Sequence, residues 1–220
     1  IRADAGLSAA EAGLLVTLPV LCFGLLAPLG SALTRRVGLN RAIAVALTLL
    51  VAGLLLRVAH PAGALFAGTA IAGAGIAVGN VLIPVLVKRS FGVSVGPMSG
   101  AYVTTMIASA ALAAGAAVPL TDALDSGWRA GLGVWAAPAA IALAVWLLQL
   151  RGRADGGAVT AAPVGARALA RDPLAWQLTL FFGAQACGFY SVLAWLPSIY
   201  GSHGIGSTRA GLLLSVCMIV

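Results

Sequence analysis

The stretch GSALTRRVGLNRA, Gly30–Ala42, is a short charged break between two long apolar runs of the chain. It holds three arginines, Arg35, Arg36 and Arg41, within seven residues. Charge this dense between apolar runs is typical of a short cytoplasmic loop of a membrane protein, because Lys and Arg are enriched in such loops. The stretch therefore predicts that the runs on either side of it are membrane-spanning helices.

The composition of the whole chain also indicates lipid as its solvent. Of the 220 residues, 61% are hydrophobic and only 9% are charged, whereas a soluble domain carries about 25% charged residues. A formal net charge of +7 would suggest nucleic acid in a soluble protein. Here the basic residues lie in the breaks between apolar runs, so we expect membrane lipid and no nucleic acid as a partner.

Six apolar runs are long enough to cross a bilayer, which takes about 20 residues. We predict spans near residues 12–33, 42–59, 63–87, 97–120, 129–150 and 174–199. A seventh run starts near Ala210 and reaches Val220, which is too short to cross. The predicted fold class is therefore all-α, a multi-pass membrane protein, and the chain is expected to stop in the middle of a span.

The breaks between the predicted spans alternate in charge. Nine of the thirteen basic residues fall in the breaks at 34–41, 88–96 and 151–173. The positive-inside rule places these three breaks in the cytoplasm. The longest, 151–173, is polar and rich in small residues, so it is predicted to be a linker between two helical bundles.

An internal repeat predicts how the spans are grouped. GLSAAEAGLL, Gly6–Leu15, and GIGSTRAGLL, Gly204–Leu213, are identical at five of ten positions and lie 198 residues apart. Both copies start an apolar run on the same predicted side, and a parallel repeat of six spans is a known transporter plan. The plan predicts an N-terminal bundle at 1–150 without its first span, a cytoplasmic linker at 151–173, and a truncated start of a C-terminal bundle at 174–220.

The charged break resembles the loop motif of the major facilitator superfamily, roughly G-x-x-x-D-R-x-G-R-R. In that family the loop is thought to lock two bundles together and to take part in conformational switching. The resemblance implies a conformational loop motif here, with Thr34 at its acidic position and with the members Gly30, Arg35, Arg36, Gly38 and Arg41.

Four further stretches resemble the cyanate and 2-nitroimidazole permease branch of this superfamily. They are IRADAGLS, GNVLIPVLVKRSF, the run at Tyr102–Met106, and AWQLTLFFGAQACGFYSVLAWLP. The resemblance covers nearly the whole chain and implies a fragment of a major facilitator helical bundle in a bacterial inner membrane. It also implies alternating access and a small anion or small polar solute as the partner, and it leaves a coupling ion open.

Neutral polar residues within the spans are the candidates for solute binding, because polar groups at bilayer depth are costly and therefore often functional. Asn80 shares a helix face with Thr69, Gly73, Ala77 and Pro84, and its amide is expected to be buried. Helix-to-helix bonding by Asn80, and bonding of the Thr105 hydroxyl back to its own helix, are the alternatives. The candidate solute-binding residues are Asn80, Tyr102, Thr105, Gln185 and Tyr190.

The sequence disfavours an enzyme. Both histidines fall in predicted breaks, and the three cysteines lack the spacing of a metal or redox site. We therefore expect no catalytic residue, no metal and no cofactor. Two alternatives remain, a truncated product without transport activity and a drug-efflux antiporter. The antiporter group usually carries a Gly-Pro pair in its fifth span, where this chain has Gly115 and Pro119 apart.

We predict that the 151–173 linker faces the cytoplasm. On a background without native cysteines, a cysteine placed at Ala158 should not react with an impermeant thiol reagent added to intact cells, whereas a cysteine placed at Ser126 should react. The measurement is the labelled fraction of each variant. Labelling of position 158 from outside the cell would contradict the topology.

Overall fold

The computed structural model describes residues 7–59, 62–123, 127–150 and 170–219. Within these ranges the chain forms eight α-helices and no strand. The helices are α1 Ala9–Val37, α2 Leu39–Leu56, α3 Ala62–Phe91, α4 Val95–Ala123, α5 Gly127–Gly133, α6 Ala136–Leu150, α7 Pro173–Ser202 and α8 Ser207–Ile219, with a short 3-10 helix at Gly92–Ser94 between α3 and α4. The predicted all-α fold class is confirmed.

Most of the described helices belong to stretches that are long and apolar enough to cross a membrane. By length and composition, five such stretches occur in the described ranges: Ala10–Val37, Leu39–Leu56, Gly63–Ala123, Trp128–Leu150 and Pro173–Ser202. The third has 61 residues, or about 90 Å of helix at 1.5 Å per residue. That length is about three bilayer cores, so this stretch divides into α3 and α4 at the 3-10 helix. The six predicted spans thus coincide with helices.

The charged break at 34–41 is shorter than the sequence predicted. Residues 34–37 end α1 and residues 39–41 begin α2, so only Gly38 is outside a helix. Gly38 has φ 84° and ψ 162°, a conformation that essentially only glycine adopts. Because this one residue reverses the chain, no longer loop is needed, and the predicted span at 42–59 starts three residues too late.

Parallel packing joins α1 to α3 through close contacts at glycine. A Cβ atom at Gly73 of α3 would lie 3.2 Å from Cβ of Cys22 in α1. A Cβ atom at Gly30 of α1 would lie 3.3 Å from Cβ of Val81 in α3. The residue numbers of the contacting pairs increase together along both helices, so α1 and α3 run in the same direction.

Antiparallel packing joins α2 to α3 even more closely. A Cβ atom at Gly75 of α3 would lie 2.6 Å from the carbonyl oxygen of Ala46 in α2. Further along, Gly53 of α2 approaches the backbone of Gly68 and Ala72 in α3. Small residues allow this approach of two backbones, which is how helices associate where lipid removes the hydrophobic drive between them.

The described chain clusters into two compact units. One takes in Ile1–Met106 and Leu120–Val159, and the other Ile107–Pro119 and Thr160–Val220. In the second unit, the Ser215 hydroxyl of α8 donates to the carbonyl oxygen of Ala111 in α4 at 2.7 Å. The predicted linker and domain boundaries fall largely on residues 151–169, outside the described residues, and stay a prediction.

The helix starts agree with the internal repeat. Helix α1 begins at Ala9 and α8 begins at Ser207, which are equivalent positions at the repeat offset of 198 residues. Each helix therefore starts at the fourth residue of its copy, as two copies of one supersecondary unit would require.

We predict that Gly75→Ala destabilises the protein and that Gly79→Ala does not. The added Cβ at residue 75 meets the Ala46 carbonyl, whereas a Cβ at residue 79 has nothing within 4 Å. Overpacking of this kind costs about 1–3 kcal/mol, while alanine favours an open helical position by about 1 kcal/mol. Unfolding in detergent micelles measures both. Equal stability of the two variants would contradict the close packing of α2 on α3.

Candidate functional site

The predicted polar face of α3 divides into a packed part and an exposed part. Thr69, Gly73 and Ala77 are buried, whereas Asn80 and Pro84 are exposed. The Thr69 hydroxyl donates to the carbonyl oxygen of Leu65 at 2.7 Å, so it is used within its own helix. The first half of the face therefore serves packing, and only its second half is open.

The exposure of Asn80 corrects the expectation that its amide is buried. The contacts of α1 on α3 involve Gly73 and Val81, and those of α2 involve Ala72 and Gly75. At 100° per residue, Asn80 lies about 20° from Gly73 around the axis but two turns further along α3, where the side chain is exposed. Its amide makes no hydrogen bond within the part of the chain that the structure describes, so the alternative of helix-to-helix bonding has no partner there.

The start of α4 carries Tyr102 and Thr105, one turn apart, in the same compact unit as Asn80. The Thr105 side chain is exposed, and its hydroxyl donates to the carbonyl oxygen of Ala101 at 2.8 Å. This is the alternative that the sequence left open, a hydroxyl satisfied by its own helix. Tyr102 is half-buried.

Gln185 and Tyr190 lie on α7, in the other compact unit. Gln185 is exposed and Tyr190 is half-buried. The Tyr190 ring packs edge-to-face on Phe189, with ring centroids 5.4 Å apart. Five helical positions separate Gln185 from Tyr190, or about 140° around the axis, so the two side chains leave α7 in different directions.

The loop motif is built around Gly38. Its N–H donates to the carbonyl oxygen of Thr34 at 3.0 Å, and its own carbonyl accepts from Ala42 N–H at 3.0 Å. Gly38 thus closes α1 and opens α2 with backbone hydrogen bonds in both directions. The residue needs glycine for its backbone conformation rather than for space, because a side chain strains the backbone at this φ and ψ.

The acidic position of the motif is a buried threonine. Thr34 is 6% exposed, and its hydroxyl donates to the carbonyl oxygen of Gly30 at 2.9 Å. At the position where the family motif has a carboxylate, this chain therefore has a hydroxyl whose hydrogen bond stays inside α1. Arg35 and Arg36 are exposed in the last turn of α1, where cations are stabilised by the helix carbonyls, and Arg41 is exposed in the first turn of α2.

A residue that the candidate set lacks contacts this motif. The indole N–H of Trp146 in α6 donates to the carbonyl oxygen of Asn40 at 2.9 Å. Asn40 lies between Gly38 and Arg41 in the motif. The sequence does show that Trp146 lies near the predicted cytoplasmic end of the span 129–150. It does not show which atom accepts the hydrogen bond of the indole N–H.

The opposite end of α2 is held by an arginine. Arg129 of α5 donates to the carbonyl oxygens of Val58 at 3.3 Å and Ala59 at 3.0 Å. Its guanidinium lies 4.4 Å from the ring centroid of Trp128. These two carbonyls belong to the turn directly after α2, and a cation near the C-terminal end of a helix is favourable. In the same region, burial lowers the pKa of Arg57, whose Nε is buried without a hydrogen-bond partner among the described residues.

The described residues contain no group of three or more His, Cys, Asp or Glu that could hold a metal ion. The candidate residues described above carry amide, hydroxyl, phenol and guanidinium groups. Such groups hold a solute or an anion by hydrogen bonds and charge.

Comparison with known proteins matches the whole chain to one family. The sequence model of the Major Facilitator Superfamily covers residues 1–220. The chain is 42% identical over 214 residues to the 2-nitroimidazole transporter of Escherichia coli (strain K12), covering 97% of this chain and 54% of that protein. No solved structure matches the chain.

Two more relatives are similar over the same range. The chain is 39% identical over 216 residues to the uncharacterized transporter YycB of Bacillus subtilis (strain 168), covering 98% of the chain and 53% of that protein. It is 33% identical over 218 residues to the cyanate transport protein CynX of Escherichia coli (strain K12), covering 98% of this chain and 56% of that protein. The chain spans about half the length of the curated relatives it matches.

We predict that neither alanine nor asparagine replaces Gly38 without cost. Asparagine often substitutes for glycine in left-handed turns, but φ 84° with ψ 162° lies in a region that both residues avoid, at about 1–3 kcal/mol. Unfolding of Gly38→Ala and Gly38→Asn in micelles measures the loss, with Gly24→Ala on the open face of α1 as the control. An asparagine variant as stable as the parent would contradict the turn.

Proposed function

Because the chain belongs to the major facilitator superfamily, we propose that the protein is a secondary transporter that moves a small anion or a small polar heterocycle by alternating access. The observation that carries the proposal is the match of the whole chain to relatives named as 2-nitroimidazole and cyanate transporters. Members of this family are multi-pass membrane proteins, which agrees with the long apolar helices. We place the protein in a bacterial inner membrane, with lipid and a solute as partners and a coupling ion open.

The hydrogen bonds of the described helices support amides as the solute-binding groups. Buried and exposed threonine hydroxyls alike donate to carbonyls of their own helices. The amides of Asn80 and Gln185 have no hydrogen-bond partner among the described residues and are exposed. An amide both donates and accepts, so it binds an anion or a heterocycle without the desolvation cost of a charged group.

The proposed binding residues therefore differ in what each contributes. Asn80 and Gln185 supply free amides, and the half-buried Tyr102 and Tyr190 supply a phenol and an aromatic face. Thr105 supplies only the acceptor capacity of its hydroxyl, because its proton is directed to Ala101. In each compact unit, one amide with one aromatic side chain suits a planar or linear polar solute better than a bulky cation.

The loop motif takes a different role in the proposal. Its exposed arginines lie in the last turn of α1 and the first turn of α2, and its backbone reverses at a single residue. We propose that Gly30, Arg35, Arg36, Gly38 and Arg41 act in switching between conformations and not in solute binding. The buried Thr34 leaves the motif without its acidic member, so any ion pair of these arginines needs a carboxylate from elsewhere.

Uptake by the full-length protein in proteoliposomes tests the transport function. The panel contains cyanate, 2-nitroimidazole and a lipophilic drug cation, and the control is vesicles that hold no protein. Saturable uptake of one of the first two solutes is expected. Folded protein that moves neither of them would overturn the proposal, and export of the drug cation alone would favour the antiporter alternative.

We predict that Asn80→Ala and Gln185→Ala each weaken solute affinity by about 1–3 kcal/mol, the usual cost of leaving a hydrogen-bonding group unpaired. Equilibrium binding to the purified full-length protein measures the change. Gln149→Ala and Gln177→Ala remove exposed amides from α6 and α7 and should leave affinity unchanged. Equal losses in the control variants, or none in the first pair, would contradict the assignment of these amides.

A further inference from the structure

Trp146 is positioned by two kinds of contact at once. Its ring is half-buried against the core cluster that α2 and α3 form, whose members are Leu39, Ala42, Ile43, Ala46, Val78 and Leu82. Its indole N–H donates to the carbonyl oxygen of Asn40 at 2.9 Å across 106 residues of sequence. The ring therefore packs near the start of α2, and the N–H bonds to one backbone atom of the motif, the Asn40 carbonyl oxygen.

The bond leaves the backbone bonding of α2 intact. Asn40 lies in the first turn of α2, where its carbonyl also faces the N–H one turn later. A carbonyl oxygen has two lone pairs, so the indole uses the second one. The bond adds an anchor from α6 to α2 without breaking the helix that it holds.

The hydrogen bond that fixes the position of Asn40 also restrains the arginines of the motif. Only Gly38 separates α1 from α2, and backbone hydrogen bonds join it to Thr34 on one side and to Ala42 on the other. Because the reversal has a single non-helical residue, the start of α2 and the end of α1 move together. An anchor at Asn40 therefore fixes the direction in which Arg35 and Arg36 leave the helix end.

The position of Trp146 on α6 gives the anchor a second connection. Helix α6 ends at Leu150, directly before the 151–173 segment that the sequence predicts to be the cytoplasmic linker. A tryptophan near a span end ordinarily directs its N–H to the membrane interface. Here the N–H is donated to the protein, so Trp146 joins the motif to the helix from which the linker departs.

We propose that Trp146 is a positioning residue for conformational switching: its indole N–H holds the loop motif against α6 in the orientation that the switch requires. This rests on the proposed transport function. The hydrogen bond of Trp146 goes to the backbone of Asn40, and its ring packs on the apolar cluster of α2 and α3, so we expect it to act through the motif. A loosened motif should therefore slow the change between conformations and leave the solute site intact.

Trp146→Phe in the full-length protein removes the donor and keeps an aromatic ring. The maximal transport rate should fall by about 2–10-fold, the equivalent of one hydrogen bond, while equilibrium solute affinity stays within about twofold. Trp176→Phe is the matched control, because its indole N–H donates to the carbonyl oxygen of Ala170, six residues away, at 2.9 Å. The control should leave both quantities unchanged.

A spin label on Arg36→Cys, on a background without native cysteines, tests the positioning directly. In nanodiscs without solute, the label should become more mobile in Trp146→Phe and not in Trp176→Phe. Unchanged mobility would overturn the proposal, even if stability and transport fall together, because Trp146 would then serve packing alone. Increased mobility in a protein that transports no panel solute would sustain the positioning role and overturn the transport function instead.

Discussion

The close approach of the α3 backbone to α1 and α2 is the constraint on which the first compact unit depends. In lipid there is little hydrophobic gain from bringing helices together, so packing distance and polar contacts decide which helices associate. Gly75 and Gly53 allow the α2 and α3 backbones to meet, and Gly73 and Gly30 do the same for α1. Larger side chains at these positions would separate the helices and remove the contacts that all three share.

Polar contacts then hold α2 at both ends. Trp146 binds the carbonyl of Asn40 at its start, and Arg129 binds those of Val58 and Ala59 after its end. Both donors come from the segment 127–150, which runs antiparallel to α2. The Asn40 carbonyl is in the first turn of α2 and keeps its helical partner, so the indole adds a second bond to it. The Val58 and Ala59 carbonyls lie past the end of α2, where an unpaired carbonyl in a low-dielectric setting is costly. The two contacts fix the register of α2 against α5 and α6.

The same accounting separates hydroxyls that bond within their own helix from amides that do not. Threonine hydroxyls at residues 34, 48, 69 and 105 each donate to a carbonyl one turn earlier, so they need no partner from another helix. The side-chain amides of Asn80 and Gln185 make no such bond within their own helices and no other hydrogen bond among the described residues. A polar group at the depth of a membrane is costly without a partner, and under the proposed transport function the solute would be that partner.

The sequence by itself determined the class of fold and the approximate positions of the long helices. Apolar runs of about 20 residues and the placement of arginines report on solvent and topology, and both are properties of local composition. Only the tertiary structure decided that Gly38 alone forms the turn, that Thr34 is buried, and that the face from Thr69 to Pro84 is half packed and half open. These features, like the hydrogen-bond partner of Trp146, depend on which helices are neighbours and on how closely glycine lets them approach. The hydropathy pattern of the sequence contains neither piece of information.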